Sequence, residues 1–365
     1  MSARARRLLL LFGVIVCASS HPAFAEPYLA VQFGFKCSQC HVNPTGGGLR
    51  TVFGDVLAQT VLPAQHLDLG VDNWTGQLGT PYVRAGGDLR TDAQVTQVPR
   101  SESLQEFSLE QTRLYLQAAV IPERLIAYVD EQAAPGAALD REGYLLYWSA
   151  SHEWYVKAGQ MYLPFGWRLQ DQSAFLLTTT GINMTTPDQG VEFGYERGPI
   201  DAQLAITNGT AGGAVRGPGK QYSLNVAFVD SRYRLGLAAN DNNQSEGAKQ
   251  AYGLYGGVRT GPVAWLGQAE ITDDHSIPNG AGRELATLLE ADWLIARGHN
   301  LKVTDEFLNP NRSVPNGEQT RWSVVYEYFP IQFLQLRAGL RRNDGIPQDP
   351  AEHRRFYFVE LHGYF

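Results

Sequence analysis

The feature that most constrains this chain is a long succession of short segments in which apolar and polar residues alternate. From residue 79 to 365, runs rich in Tyr, Phe, Trp, Val and Leu alternate with polar residues and are separated by Gly, Pro, Asn and Asp. In 321–328, Trp322 and Val324 share one face and Arg321 lies on the other. Such alternation predicts β-strands with one apolar and one polar face.

The connections between these segments narrow the fold further. Those after even-numbered segments are short, such as Asp230-Ser231 and Phe329-Pro330, whereas those after odd-numbered segments are longer and polar, such as Asn240 to Lys249 and Asp273 to Gly282. This alternation is typical of outer-membrane barrels, which have tight periplasmic turns and long external loops. We therefore predict an all-β fold, a transmembrane antiparallel β-barrel of about 16 strands, with a large periplasmic β-protein as the alternative. The segments begin near residues 81, 105, 123, 142, 153, 189, 200, 220, 232, 250, 262, 284, 299, 318, 333 and 353.

The last residue, one long connection and the aromatic residues near strand ends also fit such a barrel. The terminal Phe365 resembles the assembly signal of bacterial outer-membrane barrels. The long connection Pro164 to Gln189 either folds inward, so that Arg168 and Asp171 line a constriction, or is an exposed loop. Aromatic residues near strand ends suit the interfacial girdles of such barrels. The predicted girdle residues are Tyr147, Trp148, Trp154, Tyr162, Tyr328, Phe329 and Phe333.

The first 25 residues have the pattern of a secretory signal peptide. Arg4, Arg6 and Arg7 precede a short apolar core, and Ala23-Phe24-Ala25 is a small-x-small cleavage site, so the mature chain is expected to begin at Glu26. An even number of strands then places both ends of the barrel on the periplasmic side of a bacterial outer membrane. The formal net charge of −7 argues against a nucleic-acid partner.

The chemistry is concentrated in the pentapeptide Cys37-Ser38-Gln39-Cys40-His41. Cys-x-x-Cys-His is the attachment signature of c-type haem. Two thiols three residues apart reach the two vinyl groups on one edge of the porphyrin, and the following imidazole reaches the iron. We predict one covalent haem c, with Cys37 and Cys40 as thioether anchors and His41 as the proximal ligand.

Three other kinds of site could use the two cysteines. A Cys37–Cys40 disulfide is chemically possible in an exported protein. A structural zinc ion requires four protein ligands, and the mature chain has no second cysteine pair. A thioredoxin-like site expects a βαβ context, which the strand pattern does not offer.

The residues around the motif suit a porphyrin. Phe33, Phe35 and Phe53 could cover one of its faces, and Asn43 to Gly48 is a turn where bare backbone can approach the ring. For the sixth iron ligand, His66 is the other histidine of the N-terminal region, and it is equally a solvated loop histidine. Helical spacing is predicted for Leu49, Val52, Phe53, Val56 and Leu57.

At residue level, Phe35 to His41, the terminal Phe365 and, more weakly, Phe53-Gly54 carry a family resemblance. The chain resembles the fused monohaem cytochrome–porins, outer-membrane iron-oxidase-like cytochromes in which a short haem segment precedes a sixteen-stranded barrel. The turn Asn43 to Gly48 departs from that pattern. The resemblance implies electron transfer between an extracellular donor such as Fe(II) and periplasmic carriers such as soluble cytochromes, with Fe(II) oxidase activity.

The predicted organisation has three parts: a signal peptide (1–25), a monohaem cytochrome c-like segment that plugs the lumen (26–78) and an outer-membrane barrel (79–365). Residues 26–78 are too few to enclose a haem alone, because domains usually have ~100–150 residues. The competing prediction is a passive diffusion porin in which Cys37 and Cys40 form a structural disulfide. The direction of electron flow is not set by the sequence, so export of electrons to an external acceptor is a third reading.

Overall fold

A computed structural model describes residues 26–68, 70, 73–215, 217–244, 247–275, 282–346 and 353–365. The predicted signal peptide lies outside the described residues. Within the described ranges, sixteen antiparallel strands form a closed barrel, in which each strand pairs with its chain neighbours and β1 pairs with β16. The predicted fold class is confirmed. The strands are β1 (Val83–Gln97), β2 (Leu104–Ile121), β3 (Leu125–Ala134), β4 (Leu139–Trp148), β5 (Trp154–Met161), β6 (Asp188–Arg197), β7 (Ile200–Thr207), β8 (Lys220–Val229), β9 (Tyr233–Gln244), β10 (Gly247–Thr260), β11 (Val263–Asp274), β12 (Gly282–Ala296), β13 (His299–Asn309), β14 (Gln319–Tyr328), β15 (Leu334–Asp344) and β16 (Arg354–Tyr364).

Every strand begins within three residues of its predicted start. The predicted long loop Asn240 to Lys249 is wrong in extent, because β9 and β10 continue through most of it and Asn242 pairs with Lys249. Its polar side chains are typical of a loop. Backbone hydrogen bonding favours strand pairing whether or not the side chains are apolar, so a hairpin can extend past its apolar part.

The two faces of the barrel have opposite polarity. On β9, Leu235 and Leu237 are 59% and 63% exposed on the outside, while Arg234, which precedes Leu235, is buried against the interior. This outward apolar, inward polar alternation is that of a transmembrane barrel. Three predicted girdle residues, Trp148, Tyr162 and Phe329, are instead buried.

The girdle prediction is wrong for these three aromatic residues because protein groups also occupy the lumen. The Tyr162 hydroxyl accepts a hydrogen bond from Arg113 at 2.6 Å, and Phe329 packs with Ala58 of the N-terminal segment. Inward aromatic side chains are stable where they pack on other protein groups. Among the other predicted girdle residues, Trp154 is exposed and packs on Tyr147 with ring centroids 5.9 Å apart.

Residues 26–68, called the plug segment below, pack against inward-facing side chains of the barrel. The segment contains three short helices, α1 (Pro27–Phe33), α2 (Cys37–Cys40) and α3 (Val52–Thr60). The hydroxyl of Thr51 accepts a hydrogen bond from the backbone N–H of Gly54 at 3.1 Å and so caps α3. This helix contains the residues predicted to be helical except Leu49, which instead accepts a hydrogen bond from Val42. Among the described helices, none has the length and apolar character needed to cross a lipid bilayer.

The plug segment is attached at the end of the barrel that carries the short turns. The side-chain amide of Gln32 donates to the carbonyl of Gly261 at 3.4 Å, in the β10–β11 turn. The guanidinium of Arg297, in the β12–β13 turn, donates to the carbonyl of Thr60 at 2.6 Å. The backbone N–H of Ala64 donates to the carbonyl of Phe329 at 2.7 Å. The boundary predicted at residue 78 stays a prediction.

The connection between β5 and β6, residues 162–187, crosses the lumen, and it is called the inward loop below. It contains α4 (Phe175–Thr180), which packs against β11, β12 and β13. Asp171 forms ion pairs with Arg341 at 2.5 Å and with Arg321 at 3.1 Å on β15 and β14. Of the two predicted arrangements of this loop, the inward one is confirmed.

Candidate functional site

The cysteine motif forms one helical turn in the plug segment. The backbone N–H of His41 donates to the carbonyl of Cys37 at 2.9 Å, which closes α2, and the side chain of Gln39 accepts a hydrogen bond from the N–H of Lys36 at 2.8 Å. Cys37 and Cys40 are both free thiols, each partly exposed. The turn therefore presents two unbonded sulfur atoms and the imidazole that follows them.

A hairpin continues directly from the motif. His41 pairs with Arg50 in an antiparallel bridge, and the N–H of Val42 donates to the carbonyl of Leu49 at 2.9 Å. Gly46, in the connecting turn, has a positive φ of 91°, and a Cβ added to it would lie 3.4 Å from the Cys37 sulfur. Bare backbone thus borders the first cysteine, as the sequence predicted for this turn.

The second cysteine is bordered by a helix instead. A Cβ added to Gly54 of α3 would lie 2.2 Å from the carbonyl oxygen of Cys40, so only glycine permits this approach. The N–H of Thr51 donates to that same carbonyl at 2.9 Å. The close approach of α3 fixes the C-terminal end of α2 where the motif ends.

Cys37, Cys40 and His41 line one cavity inside the barrel. Phe33 and Phe35 belong to its wall, as predicted, with ring centroids 5.7 Å apart. Phe53 is not among the residues lining it: it is 47% exposed and packs edge-on against Phe35. Further apolar lining comes from Leu57, Leu62, Trp167 and Phe329.

The imidazole of His41 is in the protonation state that binds a metal ion. Burial, together with the nearby charge of Arg50, lowers the pKa of His41 to about 4. Its ring is therefore neutral at neutral pH, which is the state that binds a metal. Among the described residues, the Nδ1 atom of His41 has no hydrogen-bond partner. Burial also raises the pKa of the Cys40 thiol to about 11.

Cationic side chains surround the same cavity. The guanidinium of Arg234 lies 4.0 Å from the Cys37 sulfur, and that of Arg168 donates to the Thr45 hydroxyl at 2.8 Å. Nη1 of Arg168 and Nε of Arg90 are buried and have no hydrogen-bond partner within the described part of the chain. Haem carries two carboxylates, and guanidinium donors are suited to bind them.

A buried polar network holds the motif hairpin to the barrel wall. The side-chain amide of Asn43 donates to both oxygens of Glu142, at 2.8 and 2.9 Å. The ammonium of Lys157 donates to the amide oxygen of Asn43 at 3.2 Å and pairs with Glu192 at 3.0 Å. All four side chains are inaccessible to solvent. Such a fully buried network fixes one arrangement of the hairpin.

The structure does not bring His66 to the motif. His66 lines a separate cavity with Asn73, Trp74 and Gln332, and its Nε2 lies 3.2 Å from the side-chain oxygen of Asn73. Its assignment as an iron ligand stays a prediction that these contacts do not support. Among the described residues, no three His, Cys, Asp or Glu side chains converge to hold a metal ion.

Sequence reasoning missed a histidine that does line the cavity. His362 projects from β16 beside Tyr364, and both residues border the same space as His41. The signal was available in the alternation of the last strand, where Glu360, His362 and Tyr364 share the inward face. The position of His362 in the last strand gives no sign of this proximity, because closure of β16 onto β1 brings it to the cavity.

Comparisons with known proteins address the barrel. Neither protein-family models nor curated proteins match this chain. Among solved structures, OmpT, an outer-membrane protein of Vibrio cholerae, matches with a TM-score of 0.59 at 13% identity, over 78% of this chain and 97% of that one. This chain therefore has the fold of an outer-membrane β-barrel. At this identity the likeness shows the fold alone.

Two further solved structures give the same result. An anion-selective porin from Comamonas acidovorans matches with a TM-score of 0.58 at 12% identity, over 78% of this chain and 99% of that one. The outer-membrane channel DcaP of Acinetobacter baumannii matches with a TM-score of 0.57 at 13% identity, over 78% and 97% of the two chains.

Proposed function

We propose that this chain is an outer-membrane electron-transfer protein that carries one covalent c-type haem. Cys37 and Cys40 are its thioether anchors, and His41 is an iron ligand. The haem supplies a one-electron redox centre. The protein connects an extracellular donor such as Fe(II), which it oxidises, with soluble periplasmic cytochromes, as the resemblance to fused monohaem cytochrome–porins implies.

One observation carries this proposal: the complete attachment motif lines a cavity inside the barrel whose other lining residues include both apolar and cationic side chains. Both thiols are free, and the neutral imidazole has an unpartnered nitrogen. Aromatic rings form one part of the wall, and guanidinium groups form another. A passive pore needs none of these features at the same place.

The barrel contributes the position of the site. The plug segment is attached at the short-turn end, which in outer-membrane barrels is the periplasmic end. We place both termini of the barrel on that side. The apolar band of such barrels is ~25 Å tall, so a redox centre held within the lumen divides the crossing into shorter distances. Electron tunnelling falls steeply with distance, and the divided path is faster.

The plug segment and the inward loop together exclude water from the motif cavity. Arg168 of the inward loop binds Thr45 of the plug segment, and Trp167 of the loop lines the motif cavity. A drier site strengthens the electrostatic effect of the surrounding arginines on bound carboxylates.

The second candidate function is a passive diffusion porin with a structural Cys37–Cys40 disulfide. The fold favours it, because two of the matched structures are described as a porin and a channel. The free thiols and the contacts of the plug segment with the inward loop weigh against it.

The test uses intact cells that express the full chain together with haem-maturation machinery. We expect external Fe(II) to reduce a c-type α-band in the cells, and we expect a Cys40→Ala variant to lose this signal while still reaching the outer membrane. His66→Ala, outside the cavity, is the matched control and should retain it. A high ion conductance in planar bilayers that is the same in wild type and Cys40→Ala, with no reducible band, would establish the passive porin instead.

A further inference from the structure

We propose that His362 of β16 is the second axial ligand of the haem iron that His41 binds. This inference rests on the proposed function, because it requires haem in the motif cavity. One iron ligand would then come from the plug segment and the other from the barrel wall. The iron would then be low-spin with two histidine ligands, and the barrel itself would complete the redox centre.

First, few side chains around the cavity can bind iron. Among the described residues lining it, His362 is the single imidazole besides His41. The ammonium of Lys36 is engaged by the carbonyl of Ile200 at 2.6 Å. The hydroxyl of Tyr115 donates to Asp88 at 2.5 Å. Tyr364 remains as the competing ligand, since its buried hydroxyl has no hydrogen-bond partner in the described part of the chain.

Methionine ligation does not fit the arrangement. Met184 packs against Tyr162 in the inward loop, and its sulfur lies 3.6 Å from where a Cβ on Gly47 would be. The glycine turn of the plug segment thus borders Met184, which is not among the residues that line the motif cavity. Met161 is packed in a separate cluster with Tyr144 and Tyr155.

The second step is the spatial relation between the two histidines. His41 pairs across the hairpin with Arg50, and the guanidinium of Arg50 stacks over the Tyr364 ring, 4.6 Å from its centroid. The Tyr364 ring lies 5.0 Å from the ring of His362. The backbone of His41, on the plug segment, is therefore linked through Arg50 and Tyr364 to the imidazole of His362, on the wall.

The third step is the set of hydrogen bonds around His362. Its Nδ1 lies 2.8 Å from the amide oxygen of Gln335, and the amide nitrogen of Gln335 donates to Glu26 at 2.8 Å. In this arrangement Gln335 presents its amide oxygen to Nδ1, which can donate a hydrogen bond to it when Nε2 binds iron. Metal-binding histidines almost always donate their other ring N–H in this way. Nε2 is left as the ligating atom.

Iron binding at Nε2 requires one exchange. In the structure Nε2 forms a hydrogen bond with a carboxylate oxygen of Asp88. A bond from Nε2 to iron would replace that hydrogen bond, and the proton held between the two groups would leave to solvent. Asp88 keeps its hydrogen bond from Tyr115 on the other oxygen, so it is not left unpaired.

The experiment uses the full chain, matured with haem and purified from outer membranes, with barrel folding checked by heat-modifiable electrophoretic mobility. Electron paramagnetic resonance of the oxidised wild type should show a low-spin signal with two imidazole ligands. His362→Ala should become high-spin and should regain the low-spin signal with added imidazole. His66→Ala should match the wild type.

A second variant and a measurement on the wild type keep the proposal testable if His362→Ala does not fold. His362→Met should stay low-spin with a raised midpoint potential, because His/Met ligation raises the potential relative to two histidines. Near-infrared magnetic circular dichroism of the wild type should independently identify two nitrogen ligands. A tyrosinate or methionine signature in the wild type, or an unchanged low-spin signal in His362→Ala, overturns the assignment of His362. A wild-type chain without covalent haem overturns the proposed function itself.

Discussion

At the scale of single residues, the site depends on how closely two pieces of backbone approach each other. Gly54 of α3 touches the carbonyl of Cys40, and Gly46 borders the sulfur of Cys37. Neither contact is visible in sequence spacing, although the glycine-rich turn itself is. The motif provides two thiols and an imidazole. The glycines leave the space in which these groups can approach a porphyrin.

Replacing Gly54 by alanine tests this packing. The added Cβ would lie 2.2 Å from the Cys40 carbonyl oxygen, so the backbone of α2 or α3 must shift. Overpacking of this kind costs roughly 1–3 kcal/mol. We expect faster proteolysis within residues 26–68 of the folded barrel and a lower yield of haem attachment. Gly143→Ala, whose Cβ meets nothing within 4 Å, is the control. Equal protease resistance in both variants would contradict the role of Gly54.

The histidines show which residues sequence can and cannot assign. His41 follows from the motif, because the chemistry fixes its position relative to the two cysteines. His362 and His41 are far apart in the chain, and only the closure of β16 onto β1 brings His362 to the same cavity. His66 is near the motif in sequence and lies in another cavity. Local sequence distance is therefore a poor guide to ligands in a barrel.

At the scale of elements, the strands could be predicted well and their ends less well. A period of two residues reflects a physical requirement, since one face meets lipid and the other meets the lumen. Strand starts and inward faces follow from it. Strand ends do not, because backbone pairing continues into polar residues such as Asn242 and Lys249. Aromatic residues such as Tyr162 were ambiguous, because a filled lumen also accepts them.

The inward loop offers a test at this scale. Burial raises the pKa of Asp171, but Arg341 and Arg321 hold it well below its usual range. A carboxylate with a lowered pKa contributes its stability above the usual pKa and loses it only as the pH falls through the lowered value. The ion pairs of Asp171 should thus keep the loop attached from neutral pH down to about pH 4.

Asp171→Asn should detach the loop from β14 and β15, because the two arginines lose their charged partner. We expect higher and noisier ion conductance in planar bilayers for this variant at every pH in that range. Wild-type conductance should stay low and constant. Glu318→Gln, an exposed residue before β14, is the matched control and should behave as wild type. A variant that conducts like the wild type would show that Asp171 does not hold the loop.

At the scale of the whole molecule, the barrel and the plug segment complete each other. The plug segment is too short to enclose a large ring alone, and a sixteen-stranded barrel without contents leaves an aqueous channel. Together they form a cavity whose wall comes from both parts, with Cys37 and His41 on one and Trp167 and His362 on the other. The barrel was predictable from alternation, but the shared cavity required the closed structure.

The central claim is that the motif in this cavity holds one covalent haem. The most direct test is a pyridine haemochrome spectrum and an intact mass of the full chain, purified after expression with haem-maturation machinery. We predict a c-type α-band and the mass of one haem per chain, both absent from a folded Cys37→Ser/Cys40→Ser variant. A folded wild-type barrel with no α-band, or with haem that is removed by acid–organic extraction, would contradict the account.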